Sequence, residues 1–147
     1  MILRKKDNTD INEMKLNIKM AADNAGLMHW IDTKIYGDEG EKYTIGNIAD
    51  TFEDIPEAQQ CLIYIYADDD CEDMFDWVLD KGELIRAVVF EKISGREKML
   101  LDFVYEYMRM NPDDYFYAEG DWYYTSEDIK RIKEKEFETD WCYKIHD

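Results

Sequence analysis

"DIPEAQQCLIYIYA" (residues 54–67) is the stretch whose reading decides the fold. Asp54, Pro56 and Glu57 read as a helix cap, a proline at an early helical position and a boxed glutamate. Behind them Ala58, Cys61, Leu62, Ile65 and Tyr66 recur at i, i+3, i+4, i+7 and i+8, the spacing of one helical face. The same "CLIYIY" (61–66) also has the composition of a buried strand. The completeness of the start signal favours helix.

Upstream, Thr44 is placed to cap a short helix running to Phe52 and carrying Ile45, Ile48 and Ala49. "LMHWIDTKIY" (27–36) reads as another helix. Asp10 and Glu13 have capping-box spacing and open a helix with Ile11, Met14, Ile18 and Ala22 on one face, closed by "DNAG". Downstream, Asp70 caps a helix with Cys71, Met74, Phe75 and Val78 on one side and Gly82 past its end. "ELIRAVVFEKI" (83–93) fits helix and strand equally. Ser94 and Glu97 form a second capping box, before a helix whose face is Leu100, Phe103, Val104, Tyr107 and Met108 and which Asn111-Pro112 stops.

"DYFYAEGDWYYT" (114–125) turns aromatic around Ala-Glu-Gly-Asp and reads as a hairpin. Thr125 and Asp128 box a last helix with Ile129, Ile132 and Phe137, and "DWCYKIHD" (140–147) follows as a packed tail or short strand. The expected fold class is therefore mainly α, a single compact helical domain over 1–147 with one small aromatic β-hairpin. An α+β domain with 61–66 as a central strand is the rival.

Composition supports one globular domain. The chain has 147 residues, 46% of them hydrophobic, with 11 tyrosines, 6 phenylalanines and 4 tryptophans beside 36% charged side chains. The N-terminal "MILRKKDNTD" has no apolar stretch behind its cations, and "CLIYIYA" is too short to span a bilayer. Cys61, Cys71 and Cys142 make an odd count without a CxxC pair, which suits free thiols in a reducing compartment. A cytoplasmic, bacterial-type soluble protein is expected.

Net charge is −17, and residues 61–147 hold most of it, with 23 acidic and 11 basic side chains. Nucleic acid and anionic membrane would meet this charge with their own, so both are disfavoured as direct partners. A basic protein is the expected partner; oligomeric state is left open.

The densest acidic run is "ADDDCEDMFDWVLD" (67–80). As an EF-hand loop from Asp68 it fails at the two diagnostic positions, where Asp73 and Leu79 replace glycine and glutamate. No metal and no cofactor is expected. A helix start accounts for Asp69, Asp70, Glu72 and Asp73, which meet the positive end of the helix dipole. On that helix Asp69, Asp73, Asp76 and Asp80 continue as one stripe flanked by Glu72, and each like-charge neighbour costs about 0.2–0.5 kcal/mol. The choice is between a solvated face and a partner-binding face. The stripe alone is sparser than the phosphates of a duplex, so nucleic-acid mimicry needs further acids on the same surface.

The hairpin supplies the second candidate patch. Its rings, rimmed by Asp113, Asp114 and Asp121 and including Tyr117 and Trp122, suit guanidinium and ammonium groups if exposed, and core packing if not. Catalysis has little support: His29 and His146 lack metal spacing, and no GxSxG, P-loop or GxGxxG occurs.

These observations lead to a specific expectation. The chain is a non-catalytic acidic binding protein of the bacterial immunity or antitoxin type, covering a basic protein such as a nuclease toxin. Its contact residues are expected to be Asp69, Glu72, Asp73, Asp76 and Asp80, with Asp113, Asp114, Tyr117, Asp121 and Trp122. The alternatives are a phage-type nucleic-acid mimic and a small enzyme or regulatory domain.

Overall fold

The computed structural model describes residues 1–5, 10–37, 42–67, 84–118 and 122–144. Seven strands and three helices follow in the order β1 (Ile2–Lys5), α1 (Ile11–Asn24), β2 (Met28–Ile31), β3 (Lys42–Ala49), β4 (Gln60–Ala67), β5 (Leu84–Glu91), α2 (Glu97–Met110), β6 (Tyr115–Ala118), β7 (Trp122–Tyr124) and α3 (Ser126–Glu134). The strands form one sheet in the order β2-β3-β4-β5-β1-β6-β7, every neighbouring pair antiparallel. The architecture is α+β, and the mainly α, helical expectation is corrected.

The correction turns on residues 54–67. Residues 60–67 are β4, paired along its whole length with β3 and in part with β5. Cys61, Ile63 and Ile65 are buried in the core, while Leu62, Tyr64 and Tyr66 are half-buried on the opposite face. The positions that matched a helical face, Cys61 and Ile65 with Leu62 and Tyr66, therefore belong to both faces of a strand. When every residue of a run is apolar, several periods fit it, and the Ile and Tyr content decides for strand. Pro56 serves a turn instead of a helix start: Ala58 N–H donates to Ile55 C=O at 3.1 Å, with Pro56 at the second position where its fixed φ suits a turn.

Two further expected helices are strands. Residues 28–31 form β2, because Gly26, at φ 72, ends α1 and turns the chain back. Residues 42–49 form β3. Thr44 is buried there, and its hydroxyl donates to Lys34 C=O at 2.8 Å, tying the stretch after β2 to β3. Residues 84–91, left open between helix and strand, are β5. The helix expected from Asp70 to Gly82 lies outside the described residues.

Gly46 sets how closely β2 approaches. A Cβ at Gly46 would stand 2.7 Å from Trp30 O and 3.2 Å from Ile31 Cγ1. Gly46→Ala is expected to push β2 off β3 and cost about 1–3 kcal/mol, the usual range for overpacking. Urea unfolding checks the cost, and loss of amide protection along β2 checks the cause.

The other elements form where the sequence placed them. Asp10 accepts from Asn12 and Glu13 N–H at the start of α1. Thr125 and Asp128 complete a reciprocal capping box on α3, and β6 and β7 make the hairpin. α2 is present, but Ser94 does not cap it. Arg96 holds the cap position without a side-chain bond, and Glu97 Oε1 instead accepts from Gly95 N–H at 3.1 Å.

All three helices pack on one face of the sheet. Met14 and Ile18 of α1, Leu100, Phe103 and Val104 of α2, and Ile129 of α3 share one buried cluster with Ile2, Ile63, Ile65, Val88 and Phe116 from the strands. The tail closes one side of this core through Trp141, which is fully buried. No described helix is long and apolar enough to cross a membrane.

Candidate interaction surface

Strand alternation fixes what the other face of the sheet carries. The pairings Tyr43↔Tyr66 and Ile45↔Tyr64 put Tyr43, Tyr64 and Tyr66 on the face away from the helices. Trp30 pairs with Asn47 on that face, and Met28 lies beside it. Across the bulge between β1 and β5, Leu3 and Arg86 face the same way, as do Tyr115, Tyr117 and Tyr123 of the hairpin. No described helix covers these residues.

The tyrosines form a connected array. Ring centroids lie 5.7 Å apart for Tyr36 and Tyr43, 5.9 Å for Tyr43 and Tyr64, 5.8 Å for Tyr43 and Tyr66, and 6.3 Å for Tyr64 and Tyr66. Cations already sit on two of these rings: the Arg86 guanidinium is 4.4 Å from the Tyr66 centroid and Lys34 Nζ is 5.0 Å from that of Tyr36. Tyr36 O–H donates to Asp32 Oδ2 at 2.6 Å. The Lys34 N–H and then Tyr36 hold the Asp32 carboxyl below its ordinary range, and the same bond raises the Tyr36 hydroxyl. Toward β7, Tyr115 meets Tyr123 edge-on at 5.3 Å, over the buried pair Leu3 and Leu84. At the β2 end Trp30 and Met28 stand about half exposed, at 49% and 48%.

The predicted contact residues fall in different places. Asp69, Glu72, Asp73, Asp76, Asp80 and Asp121 lie outside the described residues. Asp113 is exposed in the turn before β6. Asp114 is buried, at 6% exposure, where Tyr107 O–H donates to its Oδ2 at 2.7 Å and Arg4 Nη1 lies 3.5 Å away. Tyr117 is half-buried on the tyrosine face. Trp122 belongs to the helix-side face, and its indole N–H donates to Tyr124 Oη at 2.8 Å. The hairpin patch is thus divided between two faces and a buried ion pair. Sequence reasoning missed Trp30, Tyr36, Tyr43, Tyr64, Tyr66 and Arg86. Reading 61–66 with period two would have aligned Tyr64 with Tyr66.

Charge is unevenly divided as well. The described residues hold 20 of the 35 acidic and 16 of the 18 basic side chains, so most of the excess negative charge lies elsewhere in the chain. Cys61 and Cys142 are buried free thiols, and burial pushes the Cys61 thiol up to about 11, far from a reactive thiolate. His29 Nε2 lies 3.1 Å from the exposed Asp23 carboxylate. No described group of three His, Cys, Asp or Glu side chains is placed to hold a metal ion. No family model, curated protein or solved structure matches the chain.

Proposed function

We propose that this chain is a non-catalytic acidic inhibitor that covers a basic surface or active site of another protein. The concrete form is a bacterial immunity protein or antitoxin opposed to a nuclease-type toxin. The observation that carries this reading is the tyrosine-bearing sheet face, left open by the described helices, on a chain of net charge −17. Tyrosine and tryptophan dominate binding hot spots because they bury large, rigid area while keeping a polar tip. The stacking of Arg86 on Tyr66 and of Lys34 on Tyr36 is the contact that a partner's cations would repeat on neighbouring rings.

The acidic connections support the same reading. Lys5 pairs with Leu84 and Lys42 with Ala67, so the strand ends flanking residues 6–9, 38–41 and 68–83 share one end of the sheet. By sequence these three connections hold twelve acidic side chains against Lys6 and Lys81. Charge concentrated in this way raises the rate of encounter with a basic partner and repels wrong ones. Asp69, Glu72, Asp73, Asp76 and Asp80 belong to that charge in this reading, Asp113 and Asp121 are further acids outside these three connections, and Tyr117 belongs to the contact face.

Reversing Asp73, Asp76 and Asp80 to Lys together is the test. Association with the basic partner is expected to slow by about ten- to a hundredfold at low salt, while the thermal midpoint changes little. Stopped-flow mixing measures the first and calorimetry the second. An unchanged association rate would exclude the stripe as a steering element.

A further inference from the structure

The outer edge of β2 offers a docking mode that the face alone does not define. β2 ends the seven-stranded sheet, and its pairing with β3 runs without a bulge from Met28↔Ala49 to Ile31↔Gly46. Asp32 N–H donates to Ile45 C=O at 2.9 Å, so alternation turns the backbone groups of Trp30 and Met28 toward β3 and those of His29 and Ile31 outward. Among the described residues, no hydrogen bond reaches those outward groups.

Natural sheets protect such an edge with lysine, proline, a bulge or a covering element. "MHWI" has no lysine, proline or bulge, and it presents Met28 and Trp30 half exposed beside the free backbone. Among the described residues, five of the eight exposed large hydrophobic side chains, Met28, Trp30, Ile35, Phe52 and Ile55, come from β2 and the loops around β3. Exposed apolar side chains beside an unpaired strand edge are the combination that strand addition uses: backbone bonds hold the incoming strand and alternate side chains choose it.

We propose that β2 receives an extended, lysine- or arginine-bearing segment of the partner as an eighth antiparallel strand, its apolar side chains against Met28 and Trp30. This rests on the reading of the chain as an acidic inhibitor. The occupant follows from charge: a second copy would bring another −17 to the same edge, whereas a basic strand is attracted to it. Asp23 and Asp32 flank the strand, and the Asp23 side chain is well exposed.

The probe is a capped alternating Lys-Val hexapeptide, with a Glu-Val peptide as its counterpart. Amide hydrogen exchange is read at His29 and Ile31. The Lys-Val peptide at saturation should slow exchange at both amides by about tenfold or more, and the Glu-Val peptide should not. His29→Pro removes an outward N–H without touching the β2–β3 ladder and should abolish binding. His29→Ala should retain it, and Trp30→Ala should weaken it with the fold intact. Unchanged exchange with the Lys-Val peptide overturns the inference, as does equal protection by the Glu-Val peptide. Protection that grows with protein concentration alone would assign the edge to a second copy and also overturn it. If a basic protein binds without protecting these amides, the docking mode fails while the proposed function stands. If the peptide protects them but no basic protein is bound, the function fails and the edge site remains.

Discussion

Trp141→Ala is expected to lower stability by about 3–5 kcal/mol, the usual cost of truncating a buried aromatic. Trp141 is fully buried, with its ring 5.5 Å from Phe116 and 6.2 Å from Tyr124. Its indole N–H donates to Glu97 C=O at 2.8 Å, so one side chain ties the tail to the hairpin and to the first turn of α2. Little else is placed to fill the space, because Cys142 beside it is small and also buried. Trp141→Phe keeps most of the ring and loses the N–H, and should cost about 1–2 kcal/mol less than the alanine. Urea unfolding reads both as a lower midpoint with an unchanged slope. A cost below about 1 kcal/mol for the alanine would mean that the tail does not pack as described.

The second large effect belongs to the buried pair Arg4 and Asp114. Arg4 reaches from β1 to Asn111 Oδ1 at 3.2 Å and toward Asp114, and Tyr107 on α2 bonds the same carboxylate. The cluster thereby joins β1, α2 and the turn into β6. Arg4→Met leaves the carboxylate buried without its cation, a loss of about 3–5 kcal/mol where both partners are desolvated. Burial raises the Asp114 carboxyl to about 6, outweighing the opposing pulls of Tyr107 and Arg4, and Asp113 adds to the rise. The folded protein therefore keeps a proton that the unfolded chain has already lost above about pH 4. The resulting stabilisation is complete below that pH and disappears as pH rises to about 6, an effect of roughly 2–3 kcal/mol. Asp128 and Asp32 are held below their ordinary range and act in the opposite sense, losing stability as pH falls. Comparison with Asp114→Asn isolates the group: the difference between the two proteins should change between pH 4 and 6 and be flat above. A flat difference across that window would contradict a buried carboxyl that holds its proton.

The sequence announced those elements whose signals are chemical and local. Asp10, Thr125 with Asp128, and Asn111-Pro112 mark helix ends through groups that bond or block particular backbone positions, and each acts as expected. The strands were hidden for a different reason. Residues 61–66 are apolar on both faces because β4 lies inside the sheet, with the helices on one side and the tyrosine array on the other. Thr44 resembled a cap because a threonine hydroxyl accepts and donates over short range. Here it donates to Lys34 and Asp32 carbonyls across neighbouring chain segments, a contact that no local window contains. The tyrosine face was illegible for the same reason, since Tyr36, Tyr43, Tyr64 and Arg86 meet only through strand pairing. Asp114 looked like a surface acid beside Asp113 until its partners on β1 and α2 were in view.

In the proposed function an acidic chain meets a basic protein through charge. The direct measurement is the rate of association with the proposed basic partner, taken at low and at high salt. Association is expected near 10⁸ M⁻¹ s⁻¹ in order of magnitude at low salt, falling steeply toward about 10⁵–10⁶ M⁻¹ s⁻¹ as salt rises, with dissociation changing far less. An association rate that is slow at low salt and insensitive to its increase would contradict it.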